Sequence, residues 1–559
     1  MQWKNVGDDP AHWEGRTTEG QLVVWENFGV GPLTLTEKDR VGLCQQLLNT
    51  DLQGLTTLAT SALVPFSGTI GRSLILHSTT TDLGAFKADL LKVMQGKHPK
   101  NYAGYTEVRS VFLGKTGDLT VGRMPAWKEA AKVEGMDMAE LSNTSHYYLS
   151  EALLLATVLH QRAPDPAITQ IVQFLKQYPD TVIRLYVLDQ TIQIFLVWLQ
   201  QASGLSSLYV DANSPEVAQN WNKKSILYPE IETAQTLVFG SEGSPSEVLQ
   251  VERRQAPLFR DLQLDMPALP GYTILRHGKS ELSFTEQLVA AGRLLQSRYG
   301  LSKGCLKASE AGDGARITPN IDLEDESLLM DLAKEAYTYG DDYVLESHVN
   351  YRSAKVGTQS LKLTPSAHLS AGKLTPGLTF QFLQGTSWTG NVFVNAENAP
   401  YLNLTTDQYQ MIHTVMEGFC RAFHDRKLGL VIAGIDFFVG EIGGHFGQQV
   451  LVGVQDPNIS FNGAEFLPVF MQKVSVLSGW DEKSIYATTW IFVPTEECTR
   501  EILTRVLAAE TTDDCMAMVI AVVPRSWAMI GVASPDYGQL TRELDLLISR
   551  IRKWNLWAE

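Results

Sequence analysis

Two aspartates and an asparagine in the second half of the chain have the types and spacing of a cation site. Asp436 lies in an apolar run that predicts a strand over 435–439, and Asp456 and Asn458 follow a second apolar run, 449–454. The glycines between the runs predict an antiparallel hairpin, so the start of the first strand and the end of the second meet. Carboxylate and amide oxygens are the ligands that Mg²⁺ prefers, but Asp, Pro and Asn are also common turn residues. The hairpin therefore predicts either a magnesium site or an ordinary turn.

Side-chain alternation adds a prediction about which way these carboxylates face. Successive residues of a strand point to opposite faces, so Val452, Val454 and Asp456 are expected to share one face, as are Asp436 and Phe438. A fold that placed the two aspartates on opposite faces of their sheet would rule out the cation site.

A lysine followed by a glycine-rich loop is the second candidate for chemistry. A short predicted strand carries Lys307, and the loop that follows it, 309–315, contains Gly312 and Gly314. Backbone N–H groups of such a loop can close on phosphate oxygens, and a lysine on a strand supplies a fixed positive charge beside them. The alternative is an ordinary β-turn. Arg316, just past the loop, is expected to contact phosphate, a substrate carboxylate or solvent.

A third candidate is the run 343–349, which predicts an apolar strand that ends in polar residues. Such a strand suits the connection between two lobes, because its backbone can hydrogen-bond the edge of an adenine ring. Glu346 is expected to accept a hydrogen bond from the exocyclic amine of that ring.

The elements around these motifs alternate between helix and strand. Over 166–215 the order helix, strand, helix, strand predicts parallel βαβ units with helices covering a doubly wound sheet. No Gly-x-Gly-x-x-Gly follows either strand, so no dinucleotide site is inferred. Residues 106–114 are predicted to form a further strand. Residues 471–559 alternate again and end in an amphipathic helix.

Composition limits the classes of partner. The chain has 559 residues, enough for several domains, and a net charge of −16, which argues against nucleic acid or an anionic membrane surface as a general partner. Five scattered cysteines predict neither a disulfide framework nor a zinc site, and they indicate a reducing compartment. The first residues lack the apolar core of a signal peptide, and no uncharged run indicates a membrane span. The expected location is the cytoplasm.

The succession of lysine strand, glycine loop, acidic strand, long helix, Asp strand and Asp-x-Asn resembles the ATP-grasp superfamily over roughly residues 215–470. The resemblance implies that ATP is held between two α+β lobes and that a carboxylic acid is joined to an amine through an acyl phosphate. The closing strands and helix, with the stretch around Trp388, are similar to the pheganomycin-type peptide ligases, which have a pre-ATP-grasp domain.

The resemblance implies a role for each matching residue. Lys307 would bind the ATP phosphates, with Arg316 as a second catalytic candidate. Further nucleotide contacts would come from the earlier lysine, the glycine loop and the adenine strand: Lys223, Gly312, Gly314, Glu346, His348 and Val349. Asp436, Asp456 and Asn458 would bind one or two Mg²⁺ ions, with Mn²⁺ as a substitute.

The implied fold class is α/β and α+β with several domains. They are an N-terminal arm (1–65), a pre-ATP-grasp doubly wound sheet (66–214), an ATP-grasp domain (215–470, with lobes at about 270–350 and 351–470) and a small α+β domain (471–559). The implied partners are a small carboxylic acid, such as an amino acid or natural-product acid, and an amine. A homodimer is left open.

Two departures from the family pattern keep alternatives open. The second metal-binding acid is Asp456 where the family has Glu, and Gly434 stands where a basic residue often lies. The leading hypothesis is an ATP-dependent carboxylate–amine ligase that releases ADP and phosphate. The alternatives are a nucleotide-binding scaffold without turnover, and a kinase or carboxylase of the same fold.

Overall fold

The computed structural model describes most of the chain and divides it into two compact units. The residues described are 2–6, 12–18, 20–26, 28–78, 83–230, 269–309, 316–385, 387–397, 399–508 and 514–558. The first unit contains Met1–Ala218, Ala371–Lys373 and Ser460–Glu559, and the second contains Gln219–Ser370 and Leu374–Ile459. The domain boundaries predicted from the sequence stay predictions.

The first unit contains a six-stranded parallel sheet. From edge to edge its strands are Leu63–Pro65, Leu208–Asp211, Val182–Arg184, Ser73–Ile75, Leu119–Gly122 and Asp137–Glu140. The chain proceeds outward from Ser73–Ile75 in one direction and later returns on its other side at Val182–Arg184, so the sheet is doubly wound. Apolar side chains from the strands and the surrounding helices form one buried core. The predicted α/β class is confirmed for this part of the chain.

Helices join the strands of the parallel sheet, and their ends follow from local chemistry. Gln190–Ser203 begins after Asp189, whose carboxylate accepts hydrogen bonds from the backbone N–H groups of Thr191 and Ile192, and it ends at Gly204, which has a φ of 72°. The helices of this region are Glu37–Leu48, Leu52–Ala62, Leu83–Met94, Tyr102–Ser110, Pro125–Val133, Leu149–His160, Pro166–Gln177, Gln190–Ser203 and Pro215–Asn220.

Two sets of antiparallel strands complete the first unit. Near the N-terminus, Gln2–Asn5, Trp13–Arg16 and Leu22–Trp25 form a meander. In the C-terminal part, Trp527–Ser534 pairs with Tyr486–Phe492 on one side and with Met516–Val523 on the other. The helices here are Phe466–Ser478, Arg500–Ala508 and Tyr537–Lys553. The predicted α+β character of the last block is confirmed.

The second unit begins with the short helix Lys224–Glu230 and then a four-stranded antiparallel sheet. Its strands, in spatial order, are Gly271–Ile274, Tyr343–Ser347, Lys303–Ala308 and Ile317–Asp322. The helices Glu281–Tyr299 and Glu326–Tyr339 bury their apolar faces with this sheet in a separate core.

A second antiparallel sheet of this unit holds the predicted hairpin. Its strands, in spatial order, are Asn350–Tyr351, Ala433–Glu441, Pro365–Ser370, Leu378–Gln384 and Ser387–Val394. Leu451–Asn458 also pairs with Ala433–Glu441. The small hairpin Ser353–Val356 with Gln359–Lys362 and the helix Thr406–Asp425 belong to the same unit.

The strand predicted over 106–114 is wrong, because this segment is helical. Tyr102–Ser110 forms an α-helix and Val111–Leu113 continues as a 3₁₀ turn. The helix begins after Asn101, whose side chain accepts a hydrogen bond from the backbone N–H of Gly104. Nearly every residue of the helix is buried, so its sequence has no polar face and lacks the 3.6-residue periodicity that would have revealed it.

Among the residues that the structure describes, no helix combines the length and the apolar character needed to cross a bilayer. All five cysteines are free thiols. The cytoplasmic location stays a prediction.

Candidate active site

The second unit places Lys307 and Glu346 side by side on neighbouring strands. Cys305 lies directly opposite Glu346 in the antiparallel pairing, so Lys307 is a diagonal neighbour on the same face. The Lys307 ammonium forms an ion pair with the Glu346 carboxylate, and the side chains are 3% and 2% exposed. Burial alone would lower the pKa of Lys307, but the carboxylate beside it raises the pKa well above its ordinary value. The lysine therefore keeps its charge although it is buried.

The same lysine contacts the strand that carries the predicted metal ligands. Its Nζ donates a hydrogen bond to the backbone carbonyl of Gln455, with an N–O distance of 3.2 Å. The hydroxyl of Tyr228 donates to the same carbonyl oxygen at 2.6 Å. Lys307 is thus fixed by two acceptors, one on each sheet of this unit.

Asp436 and Asp456 lie directly opposite each other in the hairpin. The pairing runs Val439 with Val452, Phe437 with Val454, and then Asp436 with Asp456, which leaves Gln455 as an extra residue in a β-bulge. Asp456 therefore faces the same side as Asp436 and the opposite side from Val454. The predicted common face of Val452, Val454 and Asp456 is wrong, because the bulge shifts the alternation by one residue.

The two carboxylates are close enough for their charges to interact. The hydroxyl of Ser366 and the side chain of Gln381 hydrogen-bond to Asp436. Burial, together with the negative charge of Asp456, raises the pKa of Asp436 to about 7 against the opposing effect of these bonds. Two facing carboxylates in a partly buried position repel each other, so a positive charge beside them is stabilising.

Lys224 supplies part of that positive charge; it belongs to the stretch 222–224 that resembles the earlier phosphate lysine of the family, in which Lys223 was the predicted residue. Its Nζ lies 3.2 Å from Oδ1 of Asp456, and the side chain is 8% exposed. Lys224 and Tyr228 are four residues apart on the helix Lys224–Glu230, so they lie on the same face and contact the neighbouring residues Asp456 and Gln455. The i, i+4 spacing of Lys224 and Tyr228 is the sequence feature that indicates their common helix face. The sequence analysis named Lys223, and the role of Lys223 stays a prediction.

The start of this helix is also joined to the beginning of the predicted phosphate loop. The backbone N–H of Lys224 donates to the carbonyl of Ser309 at 3.2 Å, and that of Ser225 donates to the Ser309 hydroxyl at 2.9 Å. Ser309 directly follows the lysine strand. Gly312 and Gly314, predicted to cover the phosphates, lie outside the described residues.

Asn458, the third predicted metal ligand, pairs with Gly434 at the same end of the hairpin. Its amide nitrogen lies 3.5 Å from the backbone carbonyl of Asp456. Asn222 accepts a hydrogen bond from the next backbone N–H, that of Ile459, at 3.1 Å. The carboxamide is therefore held near Asp456, two residues from the carboxylate pair.

The remaining predicted residues make contacts outside this cluster. The backbone N–H of His348 donates to the carbonyl of Lys303, and its Nδ1 accepts from the backbone N–H of Asn320. The side chain of Val349 is buried in a small apolar cluster. Arg316 forms an ion pair with Asp341 and is not seen among the groups around Lys307. The carboxylate of Glu346 forms the ion pair with Lys307. It can therefore accept the predicted hydrogen bond from adenine only through a lone pair that Lys307 does not occupy.

The donor set matches a hard divalent cation. No group of three or more His, Cys, Asp or Glu side chains suited to a metal occurs in the part of the chain that is described. Asp436 and Asp456 with the amide oxygen of Asn458 are all oxygen donors, the chemistry that Mg²⁺ selects over softer metals. The facing carboxylates fit such an ion, because its charge would offset their mutual repulsion.

No protein-family profile and no curated protein matches the chain. Several solved structures are similar. Carboxyaminoimidazole ribonucleotide synthase from Aspergillus clavatus, complexed with ATP, is 9% identical over 87% of this chain and 99% of its own, with a TM-score of 0.41. The biotin carboxylase domain of Hydrogenobacter thermophilus 2-oxoglutarate carboxylase, in complex with magnesium ADP, is 11% identical over 83% and 85%, with a TM-score of 0.43.

Phosphoribosylglycinamide synthetase from Anaerococcus prevotii is 11% identical over 87% of this chain and 99% of its own, with a TM-score of 0.38. At these identities and TM-scores, none of the likenesses carries an argument about activity. The function of the chain has to follow from its own residues.

Proposed function

We propose that this chain is an ATP-dependent ligase that joins a small carboxylic acid to an amine. The observation that carries the proposal is one cluster in the second unit. Two buried lysines, Lys307 and Lys224, converge on the strand whose carboxylate Asp456 faces Asp436. Fixed ammonium groups beside a hard-oxygen cation site are what a triphosphate with its cation needs. The motif order that resembles the ATP-grasp superfamily supports the same reading.

The reaction consists of two transfers. A carboxylate oxygen of the acid attacks the γ-phosphorus of ATP, the bond to ADP breaks, and an acyl phosphate forms. The amine nitrogen then attacks the acyl carbon, phosphate leaves with the bonding electron pair, and the nitrogen loses a proton. The products are an amide, ADP and phosphate. The acid is an amino acid or a natural-product acid in this proposal.

The chain's own residues act by position and charge. Lys307 is held by Glu346 and the Gln455 carbonyl, so its remaining N–H can contact a phosphate oxygen without a large reorganisation. Lys224 is placed to bind phosphate oxygens near Asp456. Asp436, Asp456 and Asn458 would hold Mg²⁺, or Mn²⁺ in its place, and the ion when bound supplies charge neutralisation on the phosphates.

Release of ADP across a panel of amino acids and small acids, with and without an added amine, tests the proposal. We expect ADP only when Mg²⁺, an acid and an amine are all present, and none from Asp436→Asn. The matched control is Asp425→Asn, which changes an exposed aspartate at the end of the helix Thr406–Asp425 and should leave turnover unchanged.

Three outcomes would contradict the proposal. Nucleotide binding without any turnover would indicate a scaffold, and ADP formation that needs an acid but no amine would indicate a kinase or a carboxylase. Full activity in Asp436→Asn would show that the carboxylate pair is not the reaction site.

A further inference from the structure

The ammonium group of Lys224 pairs with a carboxylate that the proposed cation site also uses. Its Nζ lies 3.2 Å from Oδ1 of Asp456, and the Lys224 side chain is 8% exposed. Oδ1 is buried and accepts no hydrogen bond from the described residues, so the contact is an ion pair without hydrogen-bond geometry. Because no hydrogen bond occupies its lone pairs, this oxygen can still bind a cation. Lys224 and a divalent cation are thus competing positive charges at one carboxylate.

The charge of Lys224 acts on both members of the carboxylate pair. Asp436 lies directly opposite Asp456 in the hairpin, so the ammonium group beside one carboxylate is near the other as well. Burial and the charge of Asp456 raise the pKa of Asp436, and the positive charge of Lys224 is among the influences that oppose this rise. One positive charge is shared by two adjacent carboxylates, so Lys224 offsets only part of their negative charge.

Backbone contacts hold Lys224 at this place. Its own N–H donates to the carbonyl of Ser309 at 3.2 Å. Four residues later, on the same face of the helix, the hydroxyl of Tyr228 donates at 2.6 Å to the carbonyl of Gln455, the residue before Asp456. The helix is therefore fixed at both of these points. The ammonium group can change partners only by rotation about the bonds of its own side chain.

The burial of Lys224 makes its release from Asp456 costly unless another anion takes the place of the carboxylate. A buried charge that loses its partner costs free energy, because water does not replace the lost interaction. A free divalent cation that bound the carboxylates would displace the ammonium group and give it no new partner. A nucleotide with its cation brings both charges, the cation for the carboxylates and phosphate oxygens for the ammonium group. The second exchange leaves no charge of the cluster unpaired.

We propose that Lys224 determines a specificity of the cation site: the pair of Asp436 and Asp456 takes a divalent cation that comes with nucleotide phosphates and discriminates against the free cation. The inference rests on the proposed function, because it takes this pair to be the cation site. Lys224 also couples the two ligands, since its ammonium group passes from carboxylate to phosphate at no loss of charge pairing only when both are present. Each ligand therefore increases the affinity for the other.

Titration of the whole chain with Mn²⁺ in the absence of nucleotide tests the inference, because free aqueous Mn²⁺ gives a paramagnetic resonance signal that decreases on binding. We expect Lys224→Met, which removes the charge and keeps an unbranched side chain, to bind Mn²⁺ about tenfold or more tightly than the wild-type protein. The same variant should bind a non-hydrolysable ATP analogue with Mg²⁺ about tenfold or more weakly. General damage to the site would weaken both, so the opposite signs distinguish a specific role from a structural one.

Two further lysine variants serve as controls. Lys224→Arg keeps a positive charge beside Asp456, so its affinity for Mn²⁺ alone should stay within about threefold of wild type. Lys334→Met removes another ion-paired lysine of the same unit, one whose Nζ lies 3.1 Å from the carboxylate of Asp331 on the exposed side of the helix Glu326–Tyr339. It should change neither affinity. Thermal unfolding of each variant establishes that it is folded.

Three outcomes would overturn the inference. Equal Mn²⁺ affinity in Lys224→Met and wild type, with binding lost in Asp436→Asn, would end the specific role of Lys224 and leave the cation site and the ligase proposal standing. Weaker Mn²⁺ binding in Lys224→Met would do the same, because the lysine would then support the cation instead of competing with it. Mn²⁺ binding that Asp436→Asn does not change would overturn the cation site as well, since the ion would bind elsewhere.

Discussion

At the scale of single residues, the buried pair of Lys307 and Glu346 has the largest predictable effect. Glu346→Gln would leave the Lys307 ammonium buried beside a neutral amide, since both side chains are almost inaccessible to solvent. Removing one partner of such a pair typically costs about 3–5 kcal/mol. We expect that loss in the free energy of unfolding measured with urea, together with a lower pKa of Lys307.

A double variant provides the control. Lys307→Met combined with Glu346→Gln removes both charges, so it should recover most of the lost stability, whereas ATP binding should be lost because the Lys307 ammonium is gone. Glu346→Gln with the stability of the wild-type protein would contradict the assignment of a charged buried pair.

The two adjacent lysines, Lys223 and Lys224, give a second residue-scale prediction. Lys224 forms an ion pair with Asp456. Lys224→Ala should weaken the affinity for ATP with Mg²⁺ by about tenfold or more, and Lys223→Ala should change it by about threefold at most. Calorimetric titration with a non-hydrolysable ATP analogue measures both. The reverse order of effects would return the role to Lys223.

At the scale of elements, the bulge at Gln455 joins the hairpin to Lys307 and Tyr228. Its backbone carbonyl accepts from Lys307 and Tyr228, while its side-chain amide contacts Tyr351. Deleting Gln455 should preserve the pairing of Asp436 with Asp456, because the bulge residue is the extra one. The shared carbonyl is lost, and we expect ATP affinity to fall by about tenfold.

Gln455→Ala is the matched comparison for that deletion. It keeps the backbone carbonyl and removes only the side chain, so ATP affinity should stay within about threefold of wild type. If Gln455→Ala were as damaging as the deletion, the side chain and not the carbonyl would be the important group.

The helix Leu149–His160 of the first unit carries a buried acid with a predictable pH effect. One oxygen of Glu151 accepts from the backbone N–H of Leu35 at 2.9 Å, and burial raises the pKa of Glu151 from 4.5 to about 8. The folded state therefore binds this proton more tightly than the unfolded state. The stabilisation is complete below about pH 4.5 and is lost as the pH rises towards about 8.

Glu151→Gln should remove this dependence, because glutamine keeps the acceptor for Leu35 and cannot ionise. We expect the variant to be more stable than wild type by about 2–4 kcal/mol above pH 8, with a smaller difference near pH 5. Urea unfolding at both pH values measures it, and Glu129→Gln, at an exposed position of the same unit, should show no such change. A difference independent of pH would mean that Glu151 is ionised in the folded protein.

At the scale of the whole molecule, the sequence predicted the fold class and the hairpin that carries Asp436 and Asp456, and local packing accounts for what it missed. The parallel sheet and the strand of Lys307 follow from apolar runs with clear boundaries. The helix Tyr102–Ser110 could not be predicted in this way, because it is buried on all sides and its sequence therefore lacks the 3.6-residue apolar period. The face of the sheet on which Asp456 lies also could not be predicted. The extra residue Gln455 reverses the alternation of side chains, and the types of the residues around it do not indicate a bulge. Without that bulge the two aspartates would lie on opposite faces.

The division into two units gives the last prediction, which concerns where ATP and Mg²⁺ change the chain. The groups assigned to ATP and Mg²⁺ belong to the second unit. Hydrogen exchange of backbone amides should therefore slow around 224–230, 303–309 and 451–458 when ATP and Mg²⁺ are added. Exchange around 73–78 and 182–186, in the parallel sheet of the first unit, should stay unchanged, because ordered contacts reduce local opening only where the ligand binds.

Variants connect these protection patterns to their causes. Asp436→Asn should abolish the response to Mg²⁺ and ATP, and the exposed control Asp425→Asn should preserve it. Protection by ATP confined to the parallel sheet would place the nucleotide in the first unit and contradict the site built around Lys307. Protection that is confined to the second unit and lost in Asp436→Asn would establish that this chain binds the nucleotide through the residues around Lys307.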